Sequence, residues 1–209
     1  MIKGAAMSEA AAHAVHPTPL DEFGAATTGK IGMWIFLLSD AMSFVGLLLG
    51  YGILRSGSPD WPHPATKLGI PFTAVLTFLL ICSSVTMVMA VAAAMENNRK
   101  STCLWLGATI LGGLLFLCGQ YHEYSGLMHE GLTLSQCAGC PPQFASTFFI
   151  ITGFHGAHVT TGVICLTVIL LQTLSGKYDG KPDRIEIVGL FWHFVDLIWI
   201  LVLTFVYLV

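Results

Sequence analysis

Charge is what this sequence of 209 residues has least of. Nine Lys and Arg and twelve Asp and Glu make up 10% of the chain, against about 25% in a typical soluble domain. The net charge of −3 comes with no basic patch, which excludes a nucleic-acid partner. There is no Walker loop, dinucleotide fingerprint, serine nucleophile elbow or second CxxC, so the chain has no catalytic constellation of its own. No segment repeats at the periods of roughly 20 to 50 residues that mark repeat architectures. The first 29 residues, rich in Ala and His, hold no apolar h-region. They read as a flexible cytoplasmic tail and not as a cleavable signal peptide, with Met7 as a second candidate start.

What is present is apolar. Hydrophobic residues make up 55% of the chain, and the mean hydropathy is +0.75. They fall in five runs, about Lys30 to Leu54, Leu68 to Met95, Ser101 to Tyr124, Phe144 to Leu174, and Arg184 to the C-terminus. Each is long enough to cross a bilayer as a helix. Between them lie RSGSPDWPHP, the polar turn Glu96–Lys100, the loop HEGLTLSQCAGCPPQ and SGKYDGKPD, all rich in residues that break helices. The expected fold is an all-α integral membrane protein with five transmembrane helices, residues 30–209, behind a tail of residues 1–29. Five spans place Lys3, Lys30, Arg99, Lys100, Lys177, Lys181 and Arg184 on one side and only Arg55 and Lys67 on the other. The positive-inside rule then puts the N-terminus in the cytoplasm and the C-terminus in the periplasm.

Several ionisable groups fall inside these runs. Asp40 sits within MWIFLLSDAMSFVGLLLG, roughly 15 Å from the cytoplasmic end of an ideal helix. An acid at that depth must face protein, water or a partner, because exposing it to acyl chains costs at least about 2.5 kcal/mol. It either locks its helix to a neighbour or exchanges protons at a cleft. His193 and Asp196 reach a comparable depth on the fifth span and share a face with Glu186. His155 and His158 form an i,i+3 pair on the fourth. The histidines admit three readings, as interhelical hydrogen-bonders, as members of a proton relay, or as haem or metal ligands. Gly153, Gly156 and Gly162 stand beside them, a pattern that favours close packing with polar pins. Gln120, Glu123 and Tyr124 close the third span at its outer end, where Glu123, like Glu186 near the opposite interface, is expected within reach of water. Gly112, Gly113 and Gly119 on that span invite a close helix neighbour. Cys137 and Cys140 form one CxxC, half a zinc site at best even with His129. In an oxidising exterior a local disulfide is their expected state. The remaining cysteines read as small apolar residues, and most of the five tryptophans as interfacial anchors or packing residues.

Three stretches, in order, are similar to subunit III of the haem-copper respiratory oxidases. Trp34-Ile35-Phe36-Leu37-Leu38-Ser39-Asp40 resembles that family's first short-form helix. Ser146-Thr147-Phe148-Phe149 with Thr152-Gly153-Phe154-His155-Gly156-Ala157-His158-Val159 resembles its central block. Trp192-His193-Phe194-Val195-Asp196-Leu197-Ile198-Trp199, with Tyr207, resembles its C-terminal signature. Arg99-Lys100 opening the third helix and Gln120, Glu123 and Tyr124 closing it also fit. The likeness covers about Lys30 to Val209 and matches a five-helix form lacking the first two of seven helices. Where this chain has Asp40, many members carry glutamate.

The resemblance implies an accessory subunit without redox catalysis, part of a proton-pumping terminal oxidase, cytochrome c oxidase above all, that reduces oxygen to water. Such a subunit packs on subunit I beside subunits II and IV, with a respiratory supercomplex as the larger setting. It supports sustained proton uptake and holds phospholipid in a cleft. Haem and copper belong to the partner subunits, and the setting is the bacterial inner membrane. Asp40 would then tune the cleft, with His155, His158, His193 and Asp196 bracing the bundle. A quinol oxidase or nitric oxide reductase could use the same subunit. Two readings of other classes are a proton-coupled carrier, against which the lack of internal symmetry speaks, and a haem-binding electron carrier.

Overall fold

The computed structural model describes residues 28–63, 69–137, 139–176 and 182–208. The expected tail lies outside these residues, Met7 and Lys3 included, except that Thr28 and Gly29 are already helical. Lys67, Lys177 and Lys181 also fall outside them. The described residues form α1 (Thr28–Ser56), α2 (Ile70–Met95), α3 (Arg99–His129), α4 (Pro142–Leu174) and α5 (Asp183–Val202), which runs into a π-helical turn, Leu203–Leu208. Among the described residues, five spans, counting α5 with its π turn as one, are long and apolar enough to cross a membrane. The chain is an all-helical, multi-pass membrane protein.

Local chemistry sets the helix ends. Pro71 occupies the first turn of α2 and Pro142 that of α4, positions where a missing N–H costs nothing. Asn98 caps α3 by accepting from the Ser101 N–H at 3.3 Å, which starts that helix at Arg99, ahead of the expected Ser101. Asn97, at φ 56°, makes the left-handed step that turns α2 into α3. At its other end α3 outruns the expected Tyr124 by five residues. Leu127, only 5% exposed, buries itself in the bundle, and Gly131 at φ 83° ends the run.

Hairpin neighbours pack together, α2 on α3 and α3 on α4. Helix α5 is the common partner, in contact with α1, α2 and α4. Its Trp192 and Trp199 are both 1% exposed, so these two are packing residues, whereas Trp34 on α1 is 61% exposed. The expected close approaches are present. A Cβ on Gly113 would lie 2.6 Å from the Trp192 ring and 2.7 Å from Val163, and one on Gly112 would lie 2.6 Å from the Ser83 Cβ. On α4, Gly162 makes room for the same Trp192 and Gly156 for Gln120. Helix α1 lies at the edge, seated on α4 and α5, with Ile35, Leu38, Met42 and Leu49 exposed along its outer face.

Candidate functional site

Asp40 and His158 meet where α1 crosses α4. Asp40 is 8% exposed, and its Oδ1 lies 3.1 Å from His158 Nε2. The other ring nitrogen, Nδ1, sits 2.8 Å from the Phe154 carbonyl. A carbonyl can only accept, so Nδ1 carries a hydrogen. Two arrangements remain for the Nε2···Oδ1 contact. Either the acid donates to the ring, or a doubly protonated ring donates to the carboxylate. Either way the contact joins side chains on two different helices. Phe44, one turn beyond Asp40, covers the pair with its ring centroid 5.3 Å from that of His158. Asp40 Oδ2 is buried without a hydrogen-bond partner.

His155 is arranged otherwise. It is 0% exposed, stacked on Trp199 at 4.8 Å and set edge-on to Phe116 at 5.8 Å. Neither of its nitrogens has a hydrogen-bond partner. Aromatic rings enclose the imidazole, and ligating an external group would require parting it from Trp199. Its neighbour three residues on thus bonds across helices while His155 packs.

His193 and Asp196 turn toward α2. His193 Nδ1 is 2.6 Å from the Ser84 hydroxyl, and Asp196, 8% exposed, lies beside the same Ser84. These two therefore form a group separate from the Asp40–His158 pair. His193 also lines an apolar groove of about 370 Å³ between α1 and α5, walled by Trp34, Leu38, Phe194 and Leu197. A second hollow of about 300 Å³ between α2 and α5 shares Leu190 and His193 and ends at Glu186. Glu186 is bridged to Lys30 at 2.8 Å, with Asp183 3.8 Å from the same amine, which ties the first turn of α1 to that of α5.

The group closing α3 divides in two. Gln120 Nε2 donates to the Thr152 carbonyl at 2.8 Å, and Tyr124 and Thr152 share a hydroxyl contact of 2.5 Å, which join α3 to α4. Glu123 points the other way and does not reach water as expected. It is 9% exposed, with Oε1 3.1 Å from the Thr73 hydroxyl and Oε2 accepting from Tyr207 at 3.3 Å. The reason is the π turn, which carries buried Tyr207 back over the acid. In the α3–α4 loop Cys137 and Cys140 are joined as a disulfide, Cα atoms 5.3 Å apart. Among the described residues no three His, Cys, Asp or Glu side chains gather as a metal site.

The residues that sequence reasoning missed are hydroxyls. Ser84, Thr73 and Thr152 complete three of these contacts, and Ser83 and Thr77 accept from the indoles of Trp192 and Trp199 at 2.9 Å each. The signal was available on α2, where Thr73, Thr77, Ser83 and Ser84 interrupt an apolar helix at near-helical spacing.

The family model for cytochrome c oxidase subunit III matches residues 9–209. Cytochrome c oxidase subunit 3 of Corynebacterium diphtheriae is 36% identical over 175 residues, 82% of this chain and 83% of that one. The protein of the same name from Synechocystis is 36% identical over 180 residues, 85% and 74% of the two chains. That of Alkalihalophilus pseudofirmus is 34% identical over 182 residues, 85% of each.

Proposed function

This chain belongs to the cytochrome c oxidase subunit III family, and we propose that within its oxidase it steadies proton delivery to the catalytic subunit through the Asp40–His158 pair. It is an accessory subunit of a haem-copper oxidase, and the redox groups belong to other subunits of the complex. The observation that supports the proposal is the 3.1 Å contact between Asp40 Oδ1 and His158 Nε2, with the ring held on its far side by the Phe154 carbonyl. A proton shared between two helices at this depth can be given up and regained without rebuilding the bundle. His193, Asp196 and His155 brace the helices around it.

The groove beside α1 has the character of a lipid site. Its walls are apolar and its length runs with the helices, so an acyl chain fits where a polar ligand would not. The same reading places subunit I against one face of the bundle, with subunits II and IV in the same complex, and the whole in a bacterial cytoplasmic membrane with the N-terminus inside. A cytochrome c oxidase is favoured over a quinol oxidase or nitric oxide reductase because the relatives above carry that name.

Asp40→Asn tests the proposal. An amide N–H can still donate to Nε2, so the complex assembles with its haem content intact. The proton is gone, and oxygen consumption should start near the normal rate and decline under prolonged turnover. A flat progress curve matching the wild type would reduce Asp40 to a packing residue.

A further inference from the structure

The α3–α4 loop, at the end of the bundle that the charge bias places outside, carries the one disulfide among the described residues, Cys137 to Cys140. It joins positions three apart within a single connection, so it ties no two helices together. The stabilisation a disulfide gives grows with the length of chain it closes, and this closure is very short. Other contacts already hold the loop. Leu132 is 1% exposed and packs in the core, and Thr133 and Gln136 exchange backbone hydrogen bonds of 2.8 and 3.3 Å. The Ser146 hydroxyl donates to the Leu134 carbonyl at 2.6 Å. The same fold therefore accommodates the pair both bonded and open, which a cycling cross-link requires and a staple does not.

The pair is also approachable. Both cysteines are half-buried against the bundle. Gly139 is exposed at φ 75°, with nothing within 4 Å of where a Cβ would stand, so the chain between the cysteines leaves room there for an incoming group. Cys140 stands one residue before Pro141, the N-cap of α4. The positive end of that helix favours Cys140 as the departing thiolate. We propose that Cys137–Cys140 is a thiol–disulfide exchange site at the outer face, with a protein dithiol of the C-x-x-C class as its partner. A partner thiolate attacks Cys137 Sγ and forms a mixed disulfide, while the Cys137–Cys140 bond breaks and Cys140 leaves as a thiolate. The partner's second thiolate then attacks the partner sulfur of that mixed disulfide and releases Cys137. Two electrons have passed to the pair, the partner is left as a disulfide, and two protons move between the dithiols through water.

The test uses the intact oxidase containing this subunit, in detergent micelles, with reduced thioredoxin as the probe. Maleimide mass-tagging reads the thiols of the folded complex before and after treatment. Cys137 and Cys140 should both gain a tag, while the labelling of Cys82, Cys103, Cys118 and Cys165, which are free thiols throughout, stays as it was. The subunit should remain in the complex and the initial rate of oxygen consumption should not change. Cys140→Ala, with Cys137 already free, should gain no tag on treatment. Thioredoxin lacking its second cysteine, quenched with N-ethylmaleimide to cap the freed Cys140, should stay joined to Cys137. A pair that resists thioredoxin until the complex is denatured, or whose reduction releases the subunit, is a structural staple and would overturn the proposal. The wild-type tagging alone decides this if the variant fails to assemble. An adduct on Cys140 would overturn the assigned order of attack.

Discussion

His158 shows how much one side chain can settle. Its Nδ1 is committed to the Phe154 carbonyl, so what Asp40 can be replaced by follows from what Nε2 still needs. Asp40→Leu leaves that nitrogen buried and unpaired, at a cost of about 1–3 kcal/mol. It should lower the melting temperature of the complex, where Asp40→Asn does not. Equal melting temperatures for the two variants would mean that the pair contributes nothing to assembly. Glu123 offers a second case. Glutamine can accept from Tyr207 and donate to Thr73 in the same positions, whereas Glu123→Ala strands the Tyr207 hydroxyl and leaves Thr73 only the Gly69 carbonyl at 3.2 Å. Thermal unfolding of the complex should therefore place Glu123→Gln within about 1 kcal/mol of the wild type and Glu123→Ala about 1–3 kcal/mol below it. Sequence alone misplaced this acid. Its position near a helix end suggested water, and only the fold of the chain's last turn, with Tyr207 laid over it, shows why water is kept away.

Between helices the decisive residues are small. Gly113 admits Trp192 and Val163 so closely that an added methyl group has nowhere to go, so Gly113→Ala should cost about 1–3 kcal/mol. Gly153 meets only the Tyr124 hydroxyl at 3.8 Å, and Gly153→Ala should be near neutral. The yield of subunit retained through purification of the complex separates the two. The five apolar runs were legible from length and composition, and the glycines of α3 and α4 announced close packing. Helix ends were less so, because α3 gains two residues from a cap on Asn98 and five from the burial of Leu127. The pairing of polar groups was hardest to read. Depth along a helix put Asp40 level with His193 and Asp196, but rotation decides contact. It gives Asp40 to His158, and His193 to a serine on α2.

Across the molecule, α5 is the centre and α1 the edge. Lys30 crosses from α1 to Glu186 at one end and the Asp40–His158 pair holds the middle. Lys30 and Glu186 keep 20% and 31% of their side chains exposed, and a pair so placed is worth about 1 kcal/mol or less. Lys30→Met should accordingly leave the complex assembled, with a loss of stability that salt largely removes from the wild type as well. The seating of α1 is set by Leu37, Phe44 and Tyr51, all buried.

We propose that the buried acids and histidines of this subunit serve protein contacts and proton supply while the redox chemistry lies elsewhere in the complex. Oxygen consumption by the purified oxidase, followed over many turnovers before and after this subunit is stripped off by detergent, tests that most directly. Haem absorbance and initial rate should be unchanged, followed by a decay in the stripped enzyme that readdition of the subunit slows. Haem leaving with the stripped chain, or identical decay with and without it, would overturn that role.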